Sequence, residues 1–192
     1  MKAIILKQFG GVENLSMTEL QVPAISKDEV LVKIKSISIN PIDVKTRTGK
    51  GVSAILKNDH PMILGWDLSG TIESAGDAVR NFKVGDDVFA MVRFPQPGKA
   101  YAEYAAVPAA ELATKPPNIS HEEAAAACLA ALTAWQSLTI HYKLNRGDRV
   151  LIHAASGGVG HYAVQMAKQL GAHVIATSSA ANRDFVMSLG AD

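Results

Sequence analysis

Six consecutive residues, Ala155-Ser156-Gly157-Gly158-Val159-Gly160, carry the strongest chemical signal in this chain. They join a run that reads as a strand, residues 150–154, to an amphipathic run, residues 158–170, that stops at Gly171. A turn with so little side-chain bulk lets backbone N–H groups approach phosphate oxygens. The N-terminus of the helix behind it adds unpaired donors and partial positive charge. Ser156, Gly157, Gly158, Val159 and Gly160 are therefore candidate contacts for the pyrophosphate of a dinucleotide. Alanine stands where the pattern wants its first glycine, so the six residues alone are a weak motif. The strand, helix and second strand around them make it a strong one. The competing reading is a tight βαβ turn that binds nothing.

The end of the second strand, residues 173–177, bears on which dinucleotide. An acid there would hold the 2′-hydroxyl of NAD and repel a 2′-phosphate. This chain has Thr177, Ser178 and Ser179, which are neutral donors, and Arg183 follows one helical turn later, where it could pair with a phosphate dianion. The set favours NADP(H) over NAD(H). Ser179 also suits a helix cap and Arg183 a solvated surface charge, and both readings are compatible with the first.

A second polar concentration is Asn40-Pro41-Ile42-Asp43-Val44-Lys45-Thr46-Arg47. It follows residues 29–39, whose alternation is long enough for a half-buried strand. Asn40 either donates an amide hydrogen to a bound molecule or caps the helix that Pro41 opens. Lys45 and Arg47 present two cations, either to a site or to water. Asp43 suits local ordering better than the role of a base.

Around these residues the first hundred positions read as β-rich. Strands are expected at 3–7, 15–20, 29–39, 68–75 and 87–92, with turns at Gly10-Gly11, Gly76-Asp77, Gly85-Asp86 and residues 95–98. Many short strands with glycine turns suggest a small barrel or sandwich. The pattern changes near Pro116-Pro117. Ser120-His121-Glu122-Glu123 fits a capping box, and an alanine-rich helix follows to about Tyr142. Gly171 suits a left-handed helix cap, and a further helix runs to about Leu189. The division expected is 1–118 and 119–192, α+β in the first part and α/β in the second.

Bulk properties exclude several classes. The 192 residues are 48% hydrophobic and 19% charged, with net charge +1 and no run of like charges. The basic footprint of a nucleic-acid binder is missing. Cys128, the only cysteine, excludes an internal disulfide and a four-cysteine zinc site and reads as a small core residue. The apolar run at the start is too short for a secretory signal, and nothing approaches the roughly 20 apolar residues of a membrane span. A soluble cytoplasmic protein acting on a small molecule, with no nucleic acid or membrane as partner, is the expectation.

Further motifs accompany the glycine turn: Pro61-Met62-Ile63-Leu64-Gly65-Trp66-Asp67-Leu68-Ser69-Gly70, then Phe82-Lys83-Val84-Gly85-Asp86-Asp87-Val88, Ala102-Glu103-Tyr104 and Leu132-Thr133-Ala134-Trp135. With residues 40–43 they resemble, in order and spacing, the medium-chain dehydrogenase/reductase superfamily in its quinone oxidoreductase-like branch. The resemblance covers essentially the whole chain. It implies a GroES-like β domain carrying substrate groups, followed by a Rossmann domain of which only the first half lies within these residues. It also implies that the chain is part of a longer protein, with a homodimer compatible with the full-length form.

Zinc-dependent members of that superfamily place a cysteine, a histidine followed by glutamate, and a further cysteine or glutamate around a catalytic metal. The matching positions are Asn40, Trp66 with Asp67, and about Leu129, which do not make a zinc site. Without a Lewis acid the chemistry implied is hydride delivery from NADPH to an electron-poor acceptor, a quinone or an α,β-unsaturated carbonyl. Residues 40–47 are the natural source of donors to the acceptor oxygen. Lys45, where many quinone reductases of the branch carry tyrosine, resembles the enone and alkenal reductases and favours a carbon–carbon double-bond reductase. The resemblance sets Thr133 near the nicotinamide and lets Trp66 line the substrate pocket, although both residues equally suit packing. A non-catalytic nucleotide-binding or structural protein is the reading from another class.

Overall fold

The computed structural model describes residues 1–192 and divides into two compact units, Met1–Cys128 and Leu129–Asp192. The division falls inside a helix, ten positions beyond the 118/119 boundary read from the change of pattern at Pro116-Pro117.

In the first unit, β1 (Lys2–Leu6) pairs antiparallel with β2 (Leu15–Glu19). The long β3 (Glu29–Ser38) leads into two short helices, α1 (Pro41–Arg47) and α2 (Ser53–Leu56). Next come β4 (Asp67–Ala75), β5 (Asp87–Met91), β6 (Tyr104–Pro108) and the two-residue β7 (Ala113–Thr114). The five-stranded sheet runs β6-β3-β4-β5-β7, all antiparallel. Strand alternation turns Val30 and Val32 inward against Leu68, Ile72, Val88 and Val107. A second cluster gathers Leu6, Leu56, Leu64, Trp66 and Tyr101 beneath β1 and α2. Gly70 is required where β4 pairs with β3, since a Cβ there would lie 2.2 Å from the Lys33 carbonyl oxygen. The sequence reading did not place β6 or β7: the first is alanine-rich and the second is too short for a period to show.

The helix α3 (His121–Gln136) starts where the capping box put it. The Ser120 N–H donates to the Glu123 carboxylate at 2.8 Å, and the Glu123 N–H donates to Ser120 Oγ at 3.2 Å. His121 Nδ1 lies 2.7 Å from Ser69 Oγ, which ties the start of the helix to β4. One helical face brings Cys128 into the interior at 4% exposure, its thiol 3.3 Å from the Ala124 carbonyl oxygen. Burial, with the charge of Asp67 as the next cause, pushes that thiol from 9.0 up to about 12. The folded protein therefore holds a proton that the unfolded chain releases above pH 9, so stability falls as pH rises through that window. The slope from one such group is at most ~1.4 kcal/mol per pH unit. Chemical denaturation between pH 9 and 12 should show Cys128→Ala with a shallower loss of stability than the parent; parallel curves would refute the assignment.

In the second unit the helix continues into a π-type turn, Ser137–His141. The hydroxyls of Thr133, Ser137 and Thr139 each donate to the carbonyl four residues back, at 2.7, 2.7 and 2.8 Å, a bonding that bends helices. Then follow β8 (Arg149–Ile152), α4 (Gly160–Gln169), β9 (His173–Ala176) and α5 (Arg183–Ser188). The two strands pair in parallel with Arg149 opposite His173. Ile152, Val164, Ala167, Val174 and Val186 form the core. Gly171 adopts φ +86 and closes α4, as its position in the sequence leads one to expect. The helix starts at Gly160 rather than at 158, because Gly158 and Val159 remain in the turn. The segment beyond β9 first forms a 3₁₀ turn, Ala180–Asn182, and only then α5.

Candidate functional site

The glycine turn is built by the ends of β8 and β9. The Ala155 N–H donates to the Thr177 carbonyl at 2.9 Å and the Gly157 N–H to the Ala154 carbonyl at 2.8 Å. Ala154 itself is held at φ +50. The three glycines then differ in what demands them. A Cβ on Gly160 would sit 2.3 Å from the Ala154 oxygen and 2.7 Å from the Ala155 Cα, both backbone atoms. A Cβ on Gly157 would lie 3.1 Å from the Ala154 oxygen, and one on Gly158 would meet nothing within 4 Å. Gly160 is thus required by the fold. Gly158 is not: its φ is not positive, and its missing side chain leaves an open cradle in front of α4. Open space just before a helix N-terminus is where phosphate oxygens can be accommodated.

At the end of β9 the hydroxyls are partly committed. Thr177 Oγ1 accepts from the Ala154 N–H at 3.3 Å and lies 3.1 Å from His153 Nδ1. The Ser178 hydroxyl donates to the Ser179 carbonyl at 3.1 Å. Ser179 occupies the cap position of the 3₁₀ turn but makes no side-chain cap bond. Arg183 begins α5 and is exposed. Thr133 is exposed, and its hydroxyl hydrogen is bonded within its own helix. One contact here was missed by sequence reasoning: the Asn182 side-chain amide donates to Ser156 Oγ at 3.1 Å, linking the two loops. A polar residue in a cap position before α5 was the only signal for it.

The polar cluster of the first unit is a hydrogen-bonded node. Asn40 caps α1, and its backbone N–H donates to the Asp43 carboxylate at 2.6 Å. Its side-chain amide donates to Asp67 Oδ2 at 2.9 Å. Asp43 is only 2% exposed, and burial raises its pKa against the opposing pull of the Asn40, Asp43 and Gly65 backbone N–H groups and the Tyr101 hydroxyl. Burial, followed by the charge of Asp43, in turn raises the Tyr101 phenol. Tyr101 went unnoticed in the sequence; its ring lies where a Cβ on Gly65, at φ +92, would come within 2.4 Å. Arg47 donates to the Gly10 carbonyl, and Lys45 stands exposed on the outer face of α1. A cavity of about 190 Å³ opens beside Asp43, Val44, Arg47 and Tyr101.

Trp66 packs in the core, one of the two roles the sequence left open to it. It is 1% exposed, donates its indole N–H to the Gln96 carbonyl at 2.8 Å and meets Phe94 edge to face. Its ring packs in the cluster with Leu6, Leu56 and Leu64, where a large apolar surface is buried. The donor chemistry at the positions that match zinc ligands does not fit a metal. Asn40 donates to Asp67, and the indole nitrogen offers no free lone pair.

An antiparallel β unit followed along the chain by a parallel βαβ unit with a glycine turn is similar to the plan of the medium-chain dehydrogenase/reductases. Residues 26–117 match the alcohol dehydrogenase GroES-like domain. Within this class the chain is similar to quinone oxidoreductases. It is 46% identical over 188 residues to a chloroplastic quinone-oxidoreductase homolog of Spinacia oleracea, covering 95% of this chain and 56% of the relative. It is 36% identical over 200 residues to a chloroplastic NADPH-dependent alkenal/one oxidoreductase of Arabidopsis thaliana, covering 100% of this chain and 51% of that one. The solved quinone oxidoreductase from Coxiella burnetii superposes with a TM-score of 0.93 at 42% identity, over 100% of this chain and 61% of that structure. The chain spans about half the length of the curated relatives it matches.

Proposed function

We propose that this chain carries the nucleotide turn and the acceptor-side domain of a zinc-independent oxidoreductase that uses NADPH to reduce an α,β-unsaturated carbonyl or a quinone. The observation that carries the reading is the cradle at Gly158, which the fold itself does not require, set beside a β9 end with no acid. Bound NADPH supplies the hydride. The chain's part is to hold and to polarise. Ser156 and the amides of residues 158–160 hold the pyrophosphate, with Gly157 shaping the turn, while Ser178, Ser179 and Arg183 receive a 2′-phosphate without a like charge to repel it. Lys45, free on the outer face of α1, offers an ammonium to the acceptor oxygen on which negative charge grows. The buried Asn40–Asp43–Asp67 node keeps α1 in place. A lysine in this role favours an enone or enal over a dedicated quinone.

With a small enone as acceptor, the protein is expected to consume NADPH in preference to NADH, followed by the loss of nicotinamide absorbance. Preference for NADH would remove the argument from Ser178 and Arg183. Lys45→Ala should lower kcat by tenfold or more, the size expected when one charge stabilising a transition state is lost. An unchanged kcat would return Lys45 to a solvated surface charge.

A further inference from the structure

We infer that Asn182 is a positioning and specificity residue of the nucleotide site, acting through Ser156, and that its neutral amide helps admit a 2′-phosphorylated dinucleotide. This deepens the function proposed above and rests on that reading of the glycine turn.

The argument is donor accounting. The Asn182 amide donates a hydrogen to Ser156 Oγ, 3.1 Å away, so that oxygen is used as an acceptor. The Ser156 hydroxyl hydrogen is then left to donate elsewhere, and the turn that follows opens into the cradle at Gly158. A serine held this way presents a donor, not a lone pair, to a phosphate oxygen. The loop carrying Asn182 is itself fixed: its backbone N–H donates to the Ser179 carbonyl at 3.0 Å, and the adjoining Ser178 hydroxyl donates to the same carbonyl. One side chain thereby sets the spacing between the turn that takes pyrophosphate and the loop that takes the adenine-side ribose.

The same geometry makes the charge at this position decisive. A carboxylate in place of the amide cannot donate. Ser156 would turn its hydrogen to the new acid, and the pyrophosphate would lose that donor. The acid would also stand in the loop that receives the ribose, where it repels a 2′-phosphate and leaves a 2′-hydroxyl tolerable. The amide is therefore suited to NADPH, and its isosteric acid to NADH.

The test is fluorescence titration of the purified chain with NADPH and with NADH, for the parent, Asn182→Asp and Asn182→Ala, with melting curves to confirm folding. Asn182→Ala should weaken both nucleotides by a similar few-fold, because only the orientation of Ser156 is lost. Asn182→Asp should weaken NADPH at least tenfold and NADH by much less, so that the ratio of the two affinities changes. If Asn182→Asp weakens NADPH no more than Asn182→Ala does, or shifts both nucleotides equally, the inference is wrong while the nucleotide site stands. If the parent chain binds neither nucleotide, the reading of the turn falls and the inference falls with it.

Discussion

Gly160→Val is expected to abolish dinucleotide binding and to destabilise the second unit, whereas Gly158→Ala weakens binding alone. The contrast follows from what each new Cβ would meet. At Gly160 it would press on the Ala154 oxygen at 2.3 Å and the Ala155 Cα at 2.7 Å, and neither can swing aside because both belong to the backbone of the turn. The turn must move bodily, at an overpacking cost of about 1–3 kcal/mol or more. At Gly158 the new methyl has nothing of the protein within 4 Å, so the melting temperature should hold within a degree or so. That methyl would nevertheless occupy the cradle in which a phosphate oxygen sits, and loss of close backbone approach should weaken NADPH by well over tenfold, more than ~1.4 kcal/mol. Titration and melting curves on the two variants decide the matter. A Gly158→Ala protein that binds NADPH as the parent does would show that the cradle is not the phosphate site.

Trp66→Ala should cost about 3–5 kcal/mol, the range for emptying a buried tryptophan site. At roughly 2–4 °C per kcal/mol, the melting temperature should fall by about 6–20 °C. The indole is almost wholly enclosed by the cluster that contains Leu6, Leu56 and Leu64, and its N–H satisfies the Gln96 carbonyl. Trp66→Phe keeps most of the apolar surface and loses that hydrogen bond, which should cost about 1–2 kcal/mol. Both variants, at temperatures where they are folded, should keep the KM of the parent for the acceptor. A KM that rises several-fold in the folded Trp66→Phe protein would restore the indole as a pocket wall.

These two sites show where sequence reading succeeds and where it stops. The turn was legible because its signals are local. A strand, a low-bulk turn and an amphipathic helix are contiguous, and Gly171 and Ser120 close their helices through bonds three or four positions away. The alternation of β3 was legible for the same reason, since a strand's face is set by neighbours two apart. At Trp66 the same residue type at the same position served a pocket wall and a core equally well.

By itself the amino-acid sequence determined most strands of the β-rich first unit, the cap that opens α3 and the glycine that closes α4, the βαβ arrangement of the second unit and the residues able to face a phosphate. Only the tertiary structure decided what those residues are bonded to. Asn40 reaches Asp67 across 27 positions and Asn182 reaches Ser156 across 26, while Tyr101 meets Asp43 from a distant segment. Such pairings depend on strand register and on how loops are set by the packing beneath them, neither of which has a period in the chain. The separation of Gly160 from Gly158 belongs here too: both are glycine in sequence, and only the atoms around them reveal which one the fold requires and which one leaves room for something else.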